Sequence, residues 1–398
     1  MFENTPSVGE TVARLRYRRD WTQEELAEHA RVSVATVRAI EQGARAGRIK
    51  TLGKLALALG VSTSDLLASA RGVSVVADRE PGGLLAIRQV LTPPLGLDAG
   101  QAADAAESVD WPYELRRAEL LYAEDKYDEV LATVPGLIED ARALGSGVEL
   151  AQAYLYAANA LTQVRQLDLA NHVLDKAMVI AQTGSDEMLA AWVAGIQCWT
   201  LLLQGRFRDV EQLATVVADR IEPGMGNDDV ARLSTWGWLM MRASAAAIRD
   251  ARVDDAGAYL QHAQRAAVKR AERTNTNGWA PPPVQRFCSA TVGFKQVENA
   301  VLLGDHGKAL ELAGGIAPSR MPTVNNLNRH RLDLAASQLA VRQPAAAVEQ
   351  LLDLRQAAPE WMRHQSYARS VVRGLQRSRR RGIGESIDLL ATHVGIPA

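Results

Sequence analysis

The chain has 398 residues, 47% of them apolar, 23% charged and only 5% aromatic, and its 45 basic and 46 acidic side chains leave a formal net charge of −1. That length exceeds one ordinary core and implies several domains or a repeat array. The even charge balance excludes a chain that coats nucleic acid along its whole surface, so any phosphate-binding face has to be local.

The N-terminal MFENTPSVGE carries neither a basic leader nor an apolar run, and no window approaches the roughly 20 apolar residues of a membrane span. A soluble, cytoplasmic protein without a membrane partner is expected. Cys198 and Cys288, the only two cysteines, stand in apolar helical stretches and read as small buried thiols, not as a disulfide or metal pair.

Residues 7–70 divide into five short helical patterns. The first runs from about Ser7 to Arg19, with Val8, Val12 and Leu15 on one stripe. The second opens on Thr22-Gln23-Glu24-Glu25, a capping box in which Thr22 accepts from a first-turn amide while Glu25 bonds back. A third begins at Ser33, a good N-cap, and ends at Gly43, suited to a left-handed C′ position. The fourth spans Thr51 to Leu59, and Ser62-Thr63-Ser64-Asp65 opens the fifth.

Only Arg31 and Val32 separate the second and third helices, so the two must cross steeply over a shared corner. Leu26, Ala30, Val32, Val37 and Ile40 supply the apolar spacing for it, with Ala27 small at the approach. This is helix-turn-helix geometry. In that arrangement the third helix enters the major groove by its N-terminal end, where small residues let the backbone come close to base edges. Val34 and Ala35 suit thymine methyls, Thr36 and Arg38 suit base edges or phosphates, and Gln23 and Ser33, at helix N-termini, suit phosphates. Arg45, Arg48, Lys50 and Lys54 follow and would flank the backbone.

The segments TQEELAEHARVSVATVRAIEQG and TLGKLALALGVSTSDLL resemble the Xre/Cro/C1 family of DNA-binding domains in helix order, turn, caps and the Glu41-x-Gly43 ending. The resemblance implies that Arg16 on the first helix pairs with Glu41. One departure is Arg31, at a turn position usually held by glycine; a positive φ there costs about 1 kcal/mol.

Residues 79–101, REPGGLLAIRQVLTPPLGLDAGQ, place Pro81, Gly82-Gly83 and Pro93-Pro94 around one short apolar helix and read as a linker with a docking segment. The expected division is a DNA-binding domain over 1–72, a linker over 73–110 and a repeat domain over 111–398.

From about residue 111 the pattern is helix after helix, without a convincing strand. The turns DKYDEVL, RQLDLAN, GRFRDVE, ARVDDAG, GDHGKAL and RQPAAAV align, and their second helices carry Val130, Ala170, Val210, Ala256, Ala309 and Ala347 at one shared position. Twelve residues before each stands a mostly small residue: Ala118, Ala158, Cys198, Ser244, Val297 and Ala335. The steps fall in the range of helical-hairpin repeats, and the series resembles a degenerate tetratricopeptide-like solenoid. The expected fold is therefore all-α, with a five-helix DNA-binding unit followed by an α-solenoid.

In such a solenoid the first helix of each hairpin lines the concave face. The register puts Glu119 and Tyr122 there from the first repeat and Gln152, Asn159 and Gln163 from the second. Trp192 and Trp199 come from the third, Trp238, Met241 and Arg249 from the fourth, Phe294 and Glu298 from the fifth, and Arg329 from the sixth. Aromatic area with a few polar groups suits a peptide or drug-sized ligand, although tryptophans at helical spacing equally suit a core. NTNGWAPPPVQ, residues 275–285, is the longest break and reads as a loop over the groove; RGLQRSRRRG, residues 373–382, reads as the basic face of a capping helix.

No phosphate-cradling glycine loop, HExxH, paired Cys-x-x-Cys or histidine cluster is present, so no catalytic residue, metal or cofactor is expected. The domain order resembles Xre-type regulators with tetratricopeptide-like sensor domains. That resemblance implies a homodimer on a palindromic double-stranded operator, with half-sites about 34 Å apart, and a peptide or small-molecule effector. Two alternatives stay open: a scaffold that brings a protein partner to DNA, and a constitutive repressor whose groove is filled by its own side chains.

Overall fold

Local signals in the sequence become helix ends. In the computed structural model Thr22 caps α2 (Gln23–His29) with the capping box complete, Ser33 caps α3 (Val34–Glu41), and Gly43 takes φ 65° just past the end of α3. The structure describes residues 8–17, 21–43, 49–59, 61, 63, 83–92, 110–224, 229–272, 280–316, 322–378 and 382–397. Apart from Thr63, the fifth predicted helix of the N-terminal unit lies outside them.

The helix α1 (Val8–Tyr17), α2, α3 and α4 (Ile49–Ala58) enclose a small core of Val12, Leu26, Ala27, Val37, Ile40, Leu55 and Leu59. Gly9 is required on α1: a Cβ there would stand 2.2 Å from the Ile40 carbonyl oxygen. Arg31 does adopt the left-handed conformation, at φ 51°, so the turn between α2 and α3 accepts that backbone cost without glycine.

The short helix α5 (Leu84–Leu91) buries Leu84, Ile87 and Leu91 on the first repeat hairpin, and Arg142 donates to its Val90 carbonyl at 3.0 Å. Among the described residues seven hairpins follow. The first four are α6 (Trp111–Ala123) with α7 (Tyr127–Ala143), α8 (Gly147–Gln163) with α9 (Leu167–Thr183), α10 (Glu187–Gln204) with α11 (Phe207–Arg220), and α12 (Val230–Arg249) with α13 (Val253–Ala271). After the one-turn α14 (Pro282–Gln285) come α15 (Ser289–Leu303) with α16 (His306–Gly314) and α17 (Val324–Ala340) with α18 (Pro344–Ala357). Past the one-turn α19 (Pro359–Arg363), α20 (Ser366–Arg377) pairs with α21 (Gly384–His393). Among the described residues every regular element is helical and none is long and apolar enough to cross a membrane.

The repeat register holds throughout. All six anchor positions, Val130 to Ala347, are buried, and so are all six small positions twelve residues earlier. In two repeats a direct bond joins them: Ser244 Oγ donates to the Ala256 carbonyl at 2.9 Å and the Cys198 thiol points at the Val210 carbonyl. Five residues before every anchor the backbone is left-handed: Asp125, Arg165, Gly205, Ala251, Gly304 and Arg342. Only two of these six are glycine.

The array closes on itself. Gln163 at the end of α8 donates to Asn325 Oδ1 at 2.6 Å, Asn328 donates to Asp125 at 2.8 Å, Arg165 donates to Gln365 at 2.8 Å, and the Tyr127 amide donates to Glu360 at 2.8 Å. One apolar core accordingly contains both Leu131 of the first hairpin and Trp361 and Met362 near the last.

Asp125 sits inside that closure, accepting from the Tyr127 hydroxyl and from Asn328, and burial pushes its carboxyl up to about 6 against those two bonds. The folded chain thus holds this proton more tightly than the unfolded chain does. The stabilisation this gives is complete below the unfolded value and is lost as pH rises through about 6. Asp125→Asn is expected to stabilise the protein by about 1–2 kcal/mol near pH 8 and by little near pH 4. Asparagine also tolerates the left-handed backbone, and Asn328, whose Oδ1 has no partner, can turn to meet the new amide. Urea unfolding at the two pH values checks it; an equal effect at both would refute the titration argument.

Candidate functional site

The N-terminal unit fixes the orientation of α3 through one buried ion pair. Arg16 on α1 donates to Glu41 at the end of α3 through Nε at 2.7 Å and Nη2 at 2.9 Å, and through Nη1 to the Trp21 carbonyl at 2.7 Å. Both side chains are only 6% exposed. Gln23, at the start of α2, donates to the same Glu41 at 2.7 Å, and Trp21 stacks on His29 with centroids 4.3 Å apart.

This frame leaves one polar face of α3 in water. Ser33, Ala35 and Arg38 are exposed, Thr36 is half-buried with its hydroxyl 2.7 Å from Ser33 Oγ, and Val34 packs back on the core. Arg38 reaches Gln23 Oε1 at 3.3 Å and lies 3.5 Å from Glu24, both at the surface. Lys50 and Lys54 on α4 are exposed; Arg45 and Arg48 lie outside the described residues. A small residue at the exposed helix start, flanked by hydroxyls and a guanidinium, is suited to close approach to DNA. The unit meets the repeats through α4, which touches α15, and a Cβ on Gly53 would stand 2.9 Å from that of Ala251.

Inside the array the predicted concave residues sort into three groups. Arg249, Glu298 and Arg329 meet in one ionic cluster: Arg249 bonds Glu298 at 2.5 Å and Arg329 lies 3.6 Å from the same carboxylate. Trp199 and Trp238 converge on a guanidinium between α10 and α12, and Phe294 stacks on His330 at 4.1 Å. The remaining residues are engaged elsewhere. Met241 is packed in the apolar core, Trp192 donates to Thr235 at 3.0 Å, Asn159 donates to its own helix at the Leu155 carbonyl, and Gln163 belongs to the closure.

Four interior residues were missed by the register: Arg242, Lys295, Asp333 and Tyr367. Arg242 is one residue past Met241, and the helical stripe 238, 242, 249 selects it where the repeat register selects Met241. Lys295 bonds Glu298 one turn on, and Arg329 reaches Asp333 at 3.4 Å, also one turn on. Arg329 lies over the Tyr367 ring at 4.5 Å.

Burial pushes the Glu298 carboxyl up, but Lys295, Arg329 and Arg249 together pull it well below the usual carboxylate range. Asp333 is raised to about 6 by burial against the pull of Arg329, and His330 is lowered to about 4 by burial alone, which keeps the ring on Phe294 neutral. Burial also lowers Arg242 and Lys295. The Cys198 thiol is pushed up to about 12 by burial, an inert core group as expected, and Cys288 is buried with its thiol 3.5 Å from the Thr291 hydroxyl.

The break after α13 is docked where it is described. Trp238 donates to the Pro283 carbonyl at 2.7 Å, Arg270 holds the Gln285 carbonyl, and Phe287 lies buried against Gly237. Residues 275–279 of the predicted covering loop and 379–381 of the basic run lie outside the described residues.

Comparison with known proteins adds two findings. Residues 12–66 match the family described as helix-turn-helix. Among solved structures the chain is similar to PlcR of Bacillus thuringiensis in complex with the peptide PapR7 and DNA, at 12% identity and a TM-score of 0.38, over 77% of this chain and 94% of that one. So low a score carries no argument, and the architecture of the array rests on its own packing. No curated protein matches the sequence. The match over α1 to α4, together with the caps, the turn at Arg31 and the Arg16–Glu41 pair, identifies residues 12–66 as a helix-turn-helix DNA-binding domain of the Xre/Cro/C1 type.

Proposed function

We propose that the protein is a sequence-specific transcriptional regulator. The observation that carries this reading is the exposed polar face of α3, held at a fixed angle by the buried Arg16–Glu41 pair. Ala35 reads base edges, Thr36 and Arg38 bond bases or phosphates, and Gln23, Ser33 and Lys50, with Arg45 and Arg48, grip the backbone. One such helix reads few base pairs, so the chain acts as a homodimer on a palindromic operator.

The division of labour follows the sequence: residues 1–72 bind DNA, 73–110 link, and 111–398 sense a ligand and dimerise. A peptide or small molecule in the array interior, facing Trp199, Trp238, Arg249, Phe294, Glu298 and Arg329, alters the curvature of the hairpins. The contact of α4 with α15 and Ala251 supports transmission of that change to the DNA-binding unit. The reading assigns no catalytic step and places the protein in the cytoplasm.

Selection from random duplexes tests the DNA claim: failure to enrich any sequence sinks it. On the selected site Ala35→Glu, at an exposed position, is expected to leave the melting temperature unchanged and to weaken binding at least ~100-fold, since a carboxylate then faces phosphates and base edges. Fluorescence anisotropy at fixed salt measures it.

A second reading, a constitutive repressor, draws support from the closure at Gln163 and Asn325, where the array's own side chains occupy part of the interior. Native mass spectrometry of the purified protein separates the two: a dimer that carries a small bound mass supports sensing, and a bare dimer with full operator affinity supports constitutive repression.

A further inference from the structure

The charges inside the array do not balance. Arg242, Arg249, Lys295 and Arg329 face one another across α12, α15 and α17, and among the described residues Glu298 and Asp333 are the carboxylates that meet them. Glu298 is shared by Lys295, Arg249 and Arg329, and Asp333 meets Arg329 through Oδ2.

Arg242 is the cation left over. Among the described residues it makes no ion pair and no hydrogen bond; instead its guanidinium carbon lies 5.7 Å from the centroid of the Trp199 ring and 5.6 Å from that of Trp238. Indole faces hold a cation without using any of its N–H donors. The side chain is half-buried. A guanidinium placed over two rings, with no hydrogen bond or ion pair among the described residues and a surplus of positive charge around it, is suited to take two oxygens of one planar or tetrahedral oxyanion.

We propose that the interior of the repeat array binds an organic anion whose carboxylate or phosphoryl oxygens are taken by the Arg242 fork, with the body of the molecule on the indole faces of Trp199 and Trp238. This rests on the reading of the array as a ligand-binding domain and specifies the chemistry that the ligand must have. Lys295 and Arg329, both partly accessible, add long-range attraction without being the primary contact.

The test uses the full chain and simple probes. Sodium phosphate and sodium acetate are titrated separately against sodium chloride at matched ionic strength, with melting temperature and tryptophan emission as readouts. A saturable rise in melting temperature and a shift in emission with phosphate, acetate or both, and not with chloride, is the expected result; the stronger of the two identifies the anionic group. Arg242→Gln is expected to weaken that response at least tenfold, and Arg265→Gln, at an exposed position on α13, to leave it unchanged.

Responses no different from chloride in the unmodified protein overturn the proposal, whether or not the Arg242 variant folds. So does an undiminished response in a folded Arg242→Gln chain. Operator affinity measured alongside keeps the two readings apart. Anion binding that leaves operator affinity untouched supports this site and ends the sensing reading, whereas regulation by a neutral compound with no anion response does the reverse.

Discussion

A chain carrying Glu41→Ala is expected to lose operator binding and to melt in two steps, with the N-terminal unit unfolding well before the repeats. Glu41 receives two bonds from Arg16 and one from Gln23, and the ion pair is almost wholly buried. Removing one partner of such a pair leaves a desolvated charge and costs about 3–5 kcal/mol, a large fraction of the roughly 5–15 kcal/mol available to a domain. The same contacts tie α1 and α2 to the end of α3, so the loss falls on the element that faces DNA. Differential scanning calorimetry with anisotropy on the selected duplex measures both effects. Glu41→Gln, which keeps the volume and one acceptor, should fall between; a single unchanged transition in the alanine chain would refute the assignment.

The second large effect is expected at Gly237. A Cβ there would stand 2.2 Å from Phe287 Cζ, a buried ring that holds residues 280–287 against α12. Neither partner can give way easily, because Trp238 fastens the same segment through Pro283 and Arg270 fastens it through Gln285. Gly237→Ala is therefore expected to cost about 3 kcal/mol or more through overpacking. Phe287→Leu on that background should recover part of the loss by opening space for the new methyl, although alone it should destabilise. A double-mutant cycle by urea unfolding checks the coupling; simple additivity would mean that the segment moves aside.

Much of this architecture was legible because its signals are local. The capping box at Thr22, the N-cap Ser33 and the left-handed Gly43 act within a few residues and name their helix ends directly. Likewise the small residues twelve positions before each anchor record a contact inside a single hairpin, and every one is buried. The closure was not legible: Gln163 and Asn325 are 162 residues apart, and a single polar pair at that separation leaves no periodic trace. The turn residues hid for another reason. Asp125, Arg165, Ala251 and Arg342 occupy left-handed positions that glycine would have advertised. Arg242 was lost to a drift of one residue: a helix turns 100° per residue, so Met241 and Arg242 point to different neighbours, one into the core and the other toward the tryptophans.

The bonds that join Gln163 and Arg165 to Asn325 and Gln365 also bear on how this protein can change its length. An open solenoid gains or loses a hairpin at the cost of one neighbour interface, since each repeat meets only the next. Here an added hairpin would carry Asn325 and Asn328 about 10 Å or more from Tyr127 and Asp125, roughly one helix-packing distance. Repeat number is thereby quantised: duplication or deletion of a single hairpin, a common route by which repeat arrays diversify, is closed to this one, and change is confined to substitution within the hairpins and insertion in their outer turns.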